Sequence, residues 1–213
     1  MKFDKESMRL YAVTDRSWLN GRTLAMQVEE ALRGGATCVQ LREKKLCEED
    51  FLREAFEIRE ICRKYSAPFF INDNIDIAIA CESDGIHVGQ GDMDAGEVRK
   101  LVGDNVILGV SVQTVEQAVE AEKNGADYVG VGAVFNTYTK SDADLVSHDT
   151  LKAICRAISV PVVAIGGIYK HNIMELKGSG IDGVALVSAI FSKEDIEKEC
   201  RELKKLSEKA FGQ

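Results

Sequence analysis

Asn124-Gly125-Ala126-Asp127-Tyr128-Val129 is the stretch on which the reading of this chain turns. A helix-like segment stops at Gly125, and an apolar run starts two or three residues later. Gly34-Gly35-Ala36-Thr37-Cys38-Val39 and Ser179-Gly180-Ile181-Asp182-Gly183-Val184 repeat that logic. Glycine closes a helix in the left-handed conformation at the least cost. Near-continuous apolar runs mark strands buried on both faces of a parallel sheet. Helix, glycine stop and buried strand, recurring along a chain, describe a repeated strand–helix unit.

Outward from these junctions, strands are expected at 9–15, 38–42, 68–73, 85–88, 106–111, 128–131, 161–165 and 183–187. Helices are expected at 23–33, 48–64, 75–81, 95–101, 115–123, 150–158, 172–177 and 193–206, with a frayed tail beyond. Eight such units within 213 residues predict an α/β fold, a single-domain (β/α)8 TIM barrel with a structured core at about 9–206. An open doubly wound sheet is the runner-up; no G-x-G-x-x-G follows the first strand to favour it.

The net charge of −8 argues against nucleic acid and anionic membrane as partners. Cys38, Cys47, Cys62, Cys81, Cys155 and Cys200 contain no C-x-x-C pair and read as free thiols, most of them buried. The first residues carry no apolar signal core, and no run is long enough to span a bilayer, so a cytoplasmic protein is expected.

One connection breaks the economy of the rest. Residues 132–148 have neither helical nor strand periodicity, and they are rich in hydroxyls around Lys140. Long structureless loops in compact domains are usually binding loops or lids. Barrels of this kind carry their active sites at the C-terminal ends of the strands. Those ends offer Gln40-Leu41-Arg42-Glu43-Lys44, Asn72-Asp73, Gly89-Gln90-Gly91-Asp92, Ser111, Lys140, Gly166-Gly167 and Val187-Ser188.

No Ser-His-Asp or Cys-His set is present; His87 falls inside a strand and His148 and His171 at loop–helix junctions, where structural or solvated roles are expected. The turns after strands seven and eight suit a phosphate, or serve as plain tight turns. Asp73 and Asp92 could hold Mg²⁺ against a diphosphate, or be two solvated loop aspartates. Arg42, Lys44 and Lys140 would add positive charge. Departure of a diphosphate, assisted by metal and cations rather than by a base, fits the set.

These residues carry a resemblance. Tyr11-Ala12-Val13-Thr14-Asp15-Arg16, Gln40 to Lys44, Asn72-Asp73, His87-Val88-Gly89-Gln90-Gly91-Asp92-Met93, Gly109-Val110-Ser111, Thr137-Tyr138-Thr139-Lys140, Ile165 to Ile168 and Val187 to Ile190 resemble the thiamine-phosphate synthase family. The resemblance implies a transferase that joins hydroxymethylpyrimidine diphosphate to a thiazole phosphate, releasing pyrophosphate by dissociative substitution. It implies that Gln40, Leu41, Arg42, Glu43, Lys44, Asn72, Ser111 and Lys140 bind the pyrimidine diphosphate. Among these, Lys140, Arg42 and Ser111 would be catalytic. Asp73 and Asp92 would ligate Mg²⁺, and Thr137, Tyr138, Thr139, Gly167, Val187 and Ser188 would hold the thiazole phosphate. The implied partners are phosphorylated small molecules, and a homo-oligomer is left open.

Two positions depart from the family pattern: Asn136 where proline is frequent, and Ser141 where a second lysine is frequent. A thiazole tautomerase of the same fold would need a histidine after strand five, where Ser111-Val112-Gln113 stands. A non-catalytic regulator would have little use for Asp73, Asp92 and Lys140. The 132–148 loop is expected to be mobile without ligand and ordered with it.

Overall fold

The computed structural model describes residues 4–137 and 145–212. Strands β1 (Leu10–Val13), β2 (Cys38–Leu41), β3 (Phe69–Asn72), β4 (Gly85–Val88), β5 (Ile107–Val112), β6 (Tyr128–Val131), β7 (Val162–Ile165) and β8 (Gly183–Leu186) form a closed barrel in sequence order. Every neighbouring pair is parallel, and β1 closes on β8 with Leu10 opposite Val184. The (β/α)8 expectation holds.

The helices around it are α1 (Leu24–Arg33), α2 (Glu48–Lys64), α3 (Ile75–Ala80), α4 (Ala95–Val102), α5 (Val115–Lys123), α6 (His148–Ala157), α7 (Ser188–Phe191) and α8 (Ile196–Phe211). Thr23, Asn74, Thr114 and Ser147 each start one by accepting a backbone N–H of its first turn. The glycine stops behave as the sequence requires, with φ of 100° at Gly35, 87° at Gly125 and 96° at Gly180.

The polar residue that precedes each even strand has a second task. Thr37 accepts the N–H of Leu10, Asp84 that of Phe69, Asp127 that of Leu108 and Asp182 that of Val162, at 2.8–3.0 Å. Each bond satisfies a backbone donor near the start of the preceding odd strand, at the closed end of the barrel, where an unpaired buried N–H is costly. The barrel is thus stitched in quarters.

Two apolar layers result. Outward-facing strand residues such as Val39, Ile71, Val129 and Ala164 pack under the helices. Inward-facing Met8, Tyr11, Cys38, Phe70, Tyr128 and Val163 fill the barrel's interior.

Differences from the sequence expectation lie at the ends. The helix expected at 172–177 is a single 3-10 turn, Ile173–Leu176. A short helix, α7, replaces the turn expected after β8. The expected core limits of 9–206 are too narrow. Lys5–Met8 forms a 3-10 turn whose Met8 plugs the barrel floor, and α8 runs to Phe211 without a frayed tail. Ser207 Oγ, fully buried, donates to the Arg9 carbonyl at 2.6 Å, and Ala210 is buried, so packing holds the last turns.

Candidate active site

A cavity of about 420 Å³ opens at the C-terminal mouth of the barrel. It is built from strand exits, as the fold dictates. Gln40, Arg42 and Lys44 line it from the end of β2. Leu41 and Glu43, which alternate with them, do not. The Leu41 side chain lies in the outer apolar layer, and Glu43 accepts from Arg16 Nε at 3.0 Å, its side chain only 3% exposed. Of the 40–44 stretch expected to bind one ligand, the structure thus brings Gln40, Arg42 and Lys44 to the cavity and leaves the side chains of Leu41 and Glu43 off its wall. Extended backbone sends alternate residues to opposite faces.

Arg42 is fixed through its backbone, its N–H donating to Thr14 Oγ1 at 3.0 Å. Among the described residues no carboxylate pairs with its guanidinium. Lys44, by contrast, bonds the Asp73 carboxylate.

Asp73 follows β3 with φ of 61°, a left-handed backbone that turns its side chain over the mouth. Asp92 reaches the same place from the loop after β4, where the Gly89 N–H donates to its Oδ2 at 2.8 Å. Burial raises Asp92 above the ordinary carboxylate range, against the Gly89 bond, and hydrogen bonding with and repulsion from the Asp73 carboxyl raise it further. Both carboxyls line the same cavity. Asn72 lines the wall beneath them.

The floor carries residues that sequence reasoning placed elsewhere. Gln40 Nε2 donates to Tyr11 OH at 2.9 Å, and Tyr11 OH lies 2.9 Å from Tyr128 OH. Tyr128 OH lies 2.9 Å from His87 Nδ1, whose Nε2 lies 2.9 Å from Ser111 Oγ. Burial pushes both phenols well above the ordinary tyrosine value, so each stays protonated. His87, expected to be structural or solvated, lines the cavity. The signal lay in strand parity: His87 is the register partner of Asn72, already assigned to the site.

On the far side, Gly166 and Gly167 line the cavity with φ of 96° and 65°. They back onto the start of the long loop, where Phe135 N–H donates to the Gly166 carbonyl at 3.1 Å. Val187 and Ser188 line it from the start of α7, and Ser188 Oγ lies 2.8 Å from Tyr169 OH. Thr137 also lines the cavity, whereas Tyr138, Thr139 and Lys140 lie outside the described residues. Residues 138–144 of the 132–148 span for which loop closure was expected lie outside them as a whole. No helix among the described residues is long and apolar enough to cross a membrane.

The family model for thiamine monophosphate synthase matches residues 10–190. The thiamine-phosphate synthase of Ruminiclostridium cellulolyticum is 52% identical over 194 residues, which is 91% of this chain and 92% of that protein. That of Clostridium tetani is 50% identical over 194 residues, 91% of this chain and 93% of its own. The solved thiamine phosphate pyrophosphorylase of Pyrococcus furiosus superimposes with a TM-score of 0.91 at 38% identity, covering 98% of this chain and 99% of that one.

Proposed function

The chain belongs to the thiamine monophosphate synthase family, and from that membership we propose how its cavity performs the family's reaction. The enzyme is a transferase that joins hydroxymethylpyrimidine diphosphate to the phosphoethyl thiazole, giving thiamine phosphate and pyrophosphate. The observation that carries the site assignment is Arg42, whose guanidinium pairs with no carboxylate among the described residues and lines a cavity whose rim also bears Lys44, Asp73 and Asp92.

The diphosphate sits at that rim. Arg42 and Lys44, with Lys140 assigned by the resemblance, take up negative charge as the bond between the pyrimidine methyl carbon and the diphosphate oxygen breaks. Stabilising charge that develops on a leaving group, with donors already in place, is the strongest lever such a site has. The electron-rich aminopyrimidine spreads the positive charge left on carbon, and the thiazole nitrogen supplies the pair that closes the new bond. Gln40, Asn72 and Ser111 hold the pyrimidine ring deeper in the cavity. Thr137, Gly167, Val187 and Ser188, with Tyr138 and Thr139 by resemblance, hold the thiazole and its phosphate.

Asp73 and Asp92 fit a hard divalent cation. They are two oxygen donors from successive strand exits that line one cavity, and one or two carboxylates plus substrate phosphates is how Mg²⁺ is commonly held. When bound, Mg²⁺ supplies further positive charge to the departing pyrophosphate. Free thiols favour a cytoplasmic setting, and the partners are the two phosphorylated substrates.

The test is direct: the two substrates are mixed with protein and Mg²⁺, and pyrophosphate and thiamine phosphate are measured. A folded protein that yields neither overturns the assignment.

A further inference from the structure

The loop that follows β7 is tied together by one side chain. Asn172, 7% exposed, accepts the Tyr169 N–H on its Oδ1 at 2.8 Å and donates from Nδ2 to the Gly167 carbonyl at 2.9 Å. Turning the amide over would break both bonds, so its orientation is set. Tyr169 in turn reaches across to the start of α7, where its hydroxyl lies 2.8 Å from Ser188 Oγ. Neither Asn172 nor Tyr169 lines the cavity, whereas Gly167, Ile168 and Ser188 all do.

The Gly167–Ile168 peptide is trans, so its carbonyl and its N–H point in opposite directions. With the carbonyl drawn back onto Asn172, the Ile168 N–H is turned the other way, toward the cavity that Ile168 lines. Among the described residues nothing accepts that N–H or the N–H of Gly167. Glycine at 167 would leave this peptide free to turn over, because without a Cβ both orientations are accessible. A phosphate dianion offers only acceptor oxygens. One orientation of the peptide gives it a donor, and the other would face it with a carbonyl.

We infer that Asn172 and Tyr169 are positioning residues for the phosphate of the thiazole substrate. Asn172 holds the Gly167–Ile168 peptide with its N–H toward the anion, and Tyr169 holds Ser188 across from it. This rests on the placing of that phosphate against the turns after β7 and β8, and it adds what keeps those turns in their binding shape. Donors fixed in advance need no ordering when the ligand arrives, which is where such a clamp gains affinity.

The experiment compares dissociation constants, by calorimetry with Mg²⁺ and pyrophosphate filling the rim, for the phosphoethyl thiazole and for the hydroxyethyl thiazole that lacks the phosphate. The wild type should prefer the phosphorylated compound by about 10²-fold, as hydrogen bonds to a charged group are strong. Asn172→Leu, close in size, should lower that preference about tenfold, and Tyr169→Phe, which removes one hydroxyl, about threefold. In a Ser188→Ala background Tyr169→Phe should cost little more, since the two side chains act through one bond. The KM for the thiazole phosphate should rise in step, with kcat and the KM for the pyrimidine diphosphate held within about twofold, because binding is lost away from the breaking bond. In isotope-labelled wild type, the Gly167 and Ile168 amide resonances should shift further with the phosphorylated thiazole than with the other.

Folded variants that keep the wild-type preference, or that weaken both thiazoles equally, overturn the positioning role, while the shifted amides leave the phosphate at the turns. Amides that respond alike to both compounds would instead remove the phosphate from these turns, so the two failures are distinguishable. Should Asn172→Leu not fold, Tyr169→Phe with and without Ser188→Ala decides by itself.

Discussion

Arg16 Nε donates to Glu43 Oε1 at 3.0 Å, and the same guanidinium also holds Glu54. This pins the one residue between Arg42 and Lys44 to the outer face of the barrel. Its two neighbours line the cavity instead. Burial raises the Glu54 carboxyl above its ordinary value, and the Arg16 cation opposes that shift, so Arg16 keeps two crowded carboxylates together.

Arg16→Ala releases that clamp without touching the cavity. The expected result is a KM for the pyrimidine diphosphate raised about tenfold, since small misplacement of binding groups is costly. The KM for the thiazole phosphate should stay within about twofold, as its contacts come from the opposite strands. Steady-state kinetics with each substrate varied in turn decide the matter; parallel rises would mean general loosening.

The left-handed backbone at Asp73 allows the carboxylate's charge to be tested apart from its fold. Asparagine tolerates φ of 61° almost as well as aspartate does, so Asp73→Asn should keep the thermal midpoint. It removes charge from the proposed Mg²⁺ position and should cut kcat by about 10² or more. Excess Mg²⁺ should recover part of the loss, and chelation should silence the wild type. Wild-type turnover in Asp73→Asn at limiting Mg²⁺ would remove the residue from the metal site.

Thiol reactivity should follow burial. Cys47 is exposed at the start of α2, whereas burial raises Cys38 and Cys62 strongly and lifts Cys81 and Cys155 to about 11 and Cys200 to about 12. At pH 8 a thiol near 11 is only about one part in a thousand thiolate, the reactive form. Iodoacetamide on the folded enzyme should therefore add one group, at Cys47, and six after denaturation. Peptide mapping that finds Cys155 labelled as fast as Cys47 would contradict this.

The barrel was legible because its signals are local. A glycine stop and an apolar run sit next to each other in sequence, and β4, β6, α2 and α5 have the bounds expected for them. The rim was legible for the same reason: Asn72-Asp73 and Arg42 stand at strand ends. The floor was harder to read. Strands buried on both faces lack the alternation of polar and apolar residues that separates inside from outside. Tyr11 and Tyr128, both buried, therefore stood out only as members of strands, and His87 as a structural or solvated residue. The placing of the Glu43 side chain was hidden for another reason: its partner Arg16 lies 27 residues away in sequence, so nothing local shows that it pairs off the cavity wall.

Gly109 shows how closely the floor is packed, and it gives the last test. A Cβ built there would lie 2.1 Å from Cζ of Tyr128 and 2.3 Å from its hydroxyl, so the ring occupies the space glycine leaves. The ring has nowhere to retreat, with Phe70 set edgewise at 5.7 Å, Tyr11 at 6.1 Å and His87 at 5.5 Å. Gly109→Ala should destabilise the enzyme by about 1–3 kcal/mol, the usual cost of overpacking a filled interior. It should also lower activity by displacing the Tyr128 hydroxyl. Adding Tyr128→Leu opens the space again, so thermal stability should partly return while activity does not. A single variant with the wild-type melting temperature would mean that the ring can move aside, and that the floor is not packed as closely as the Gly109–Tyr128 contact requires.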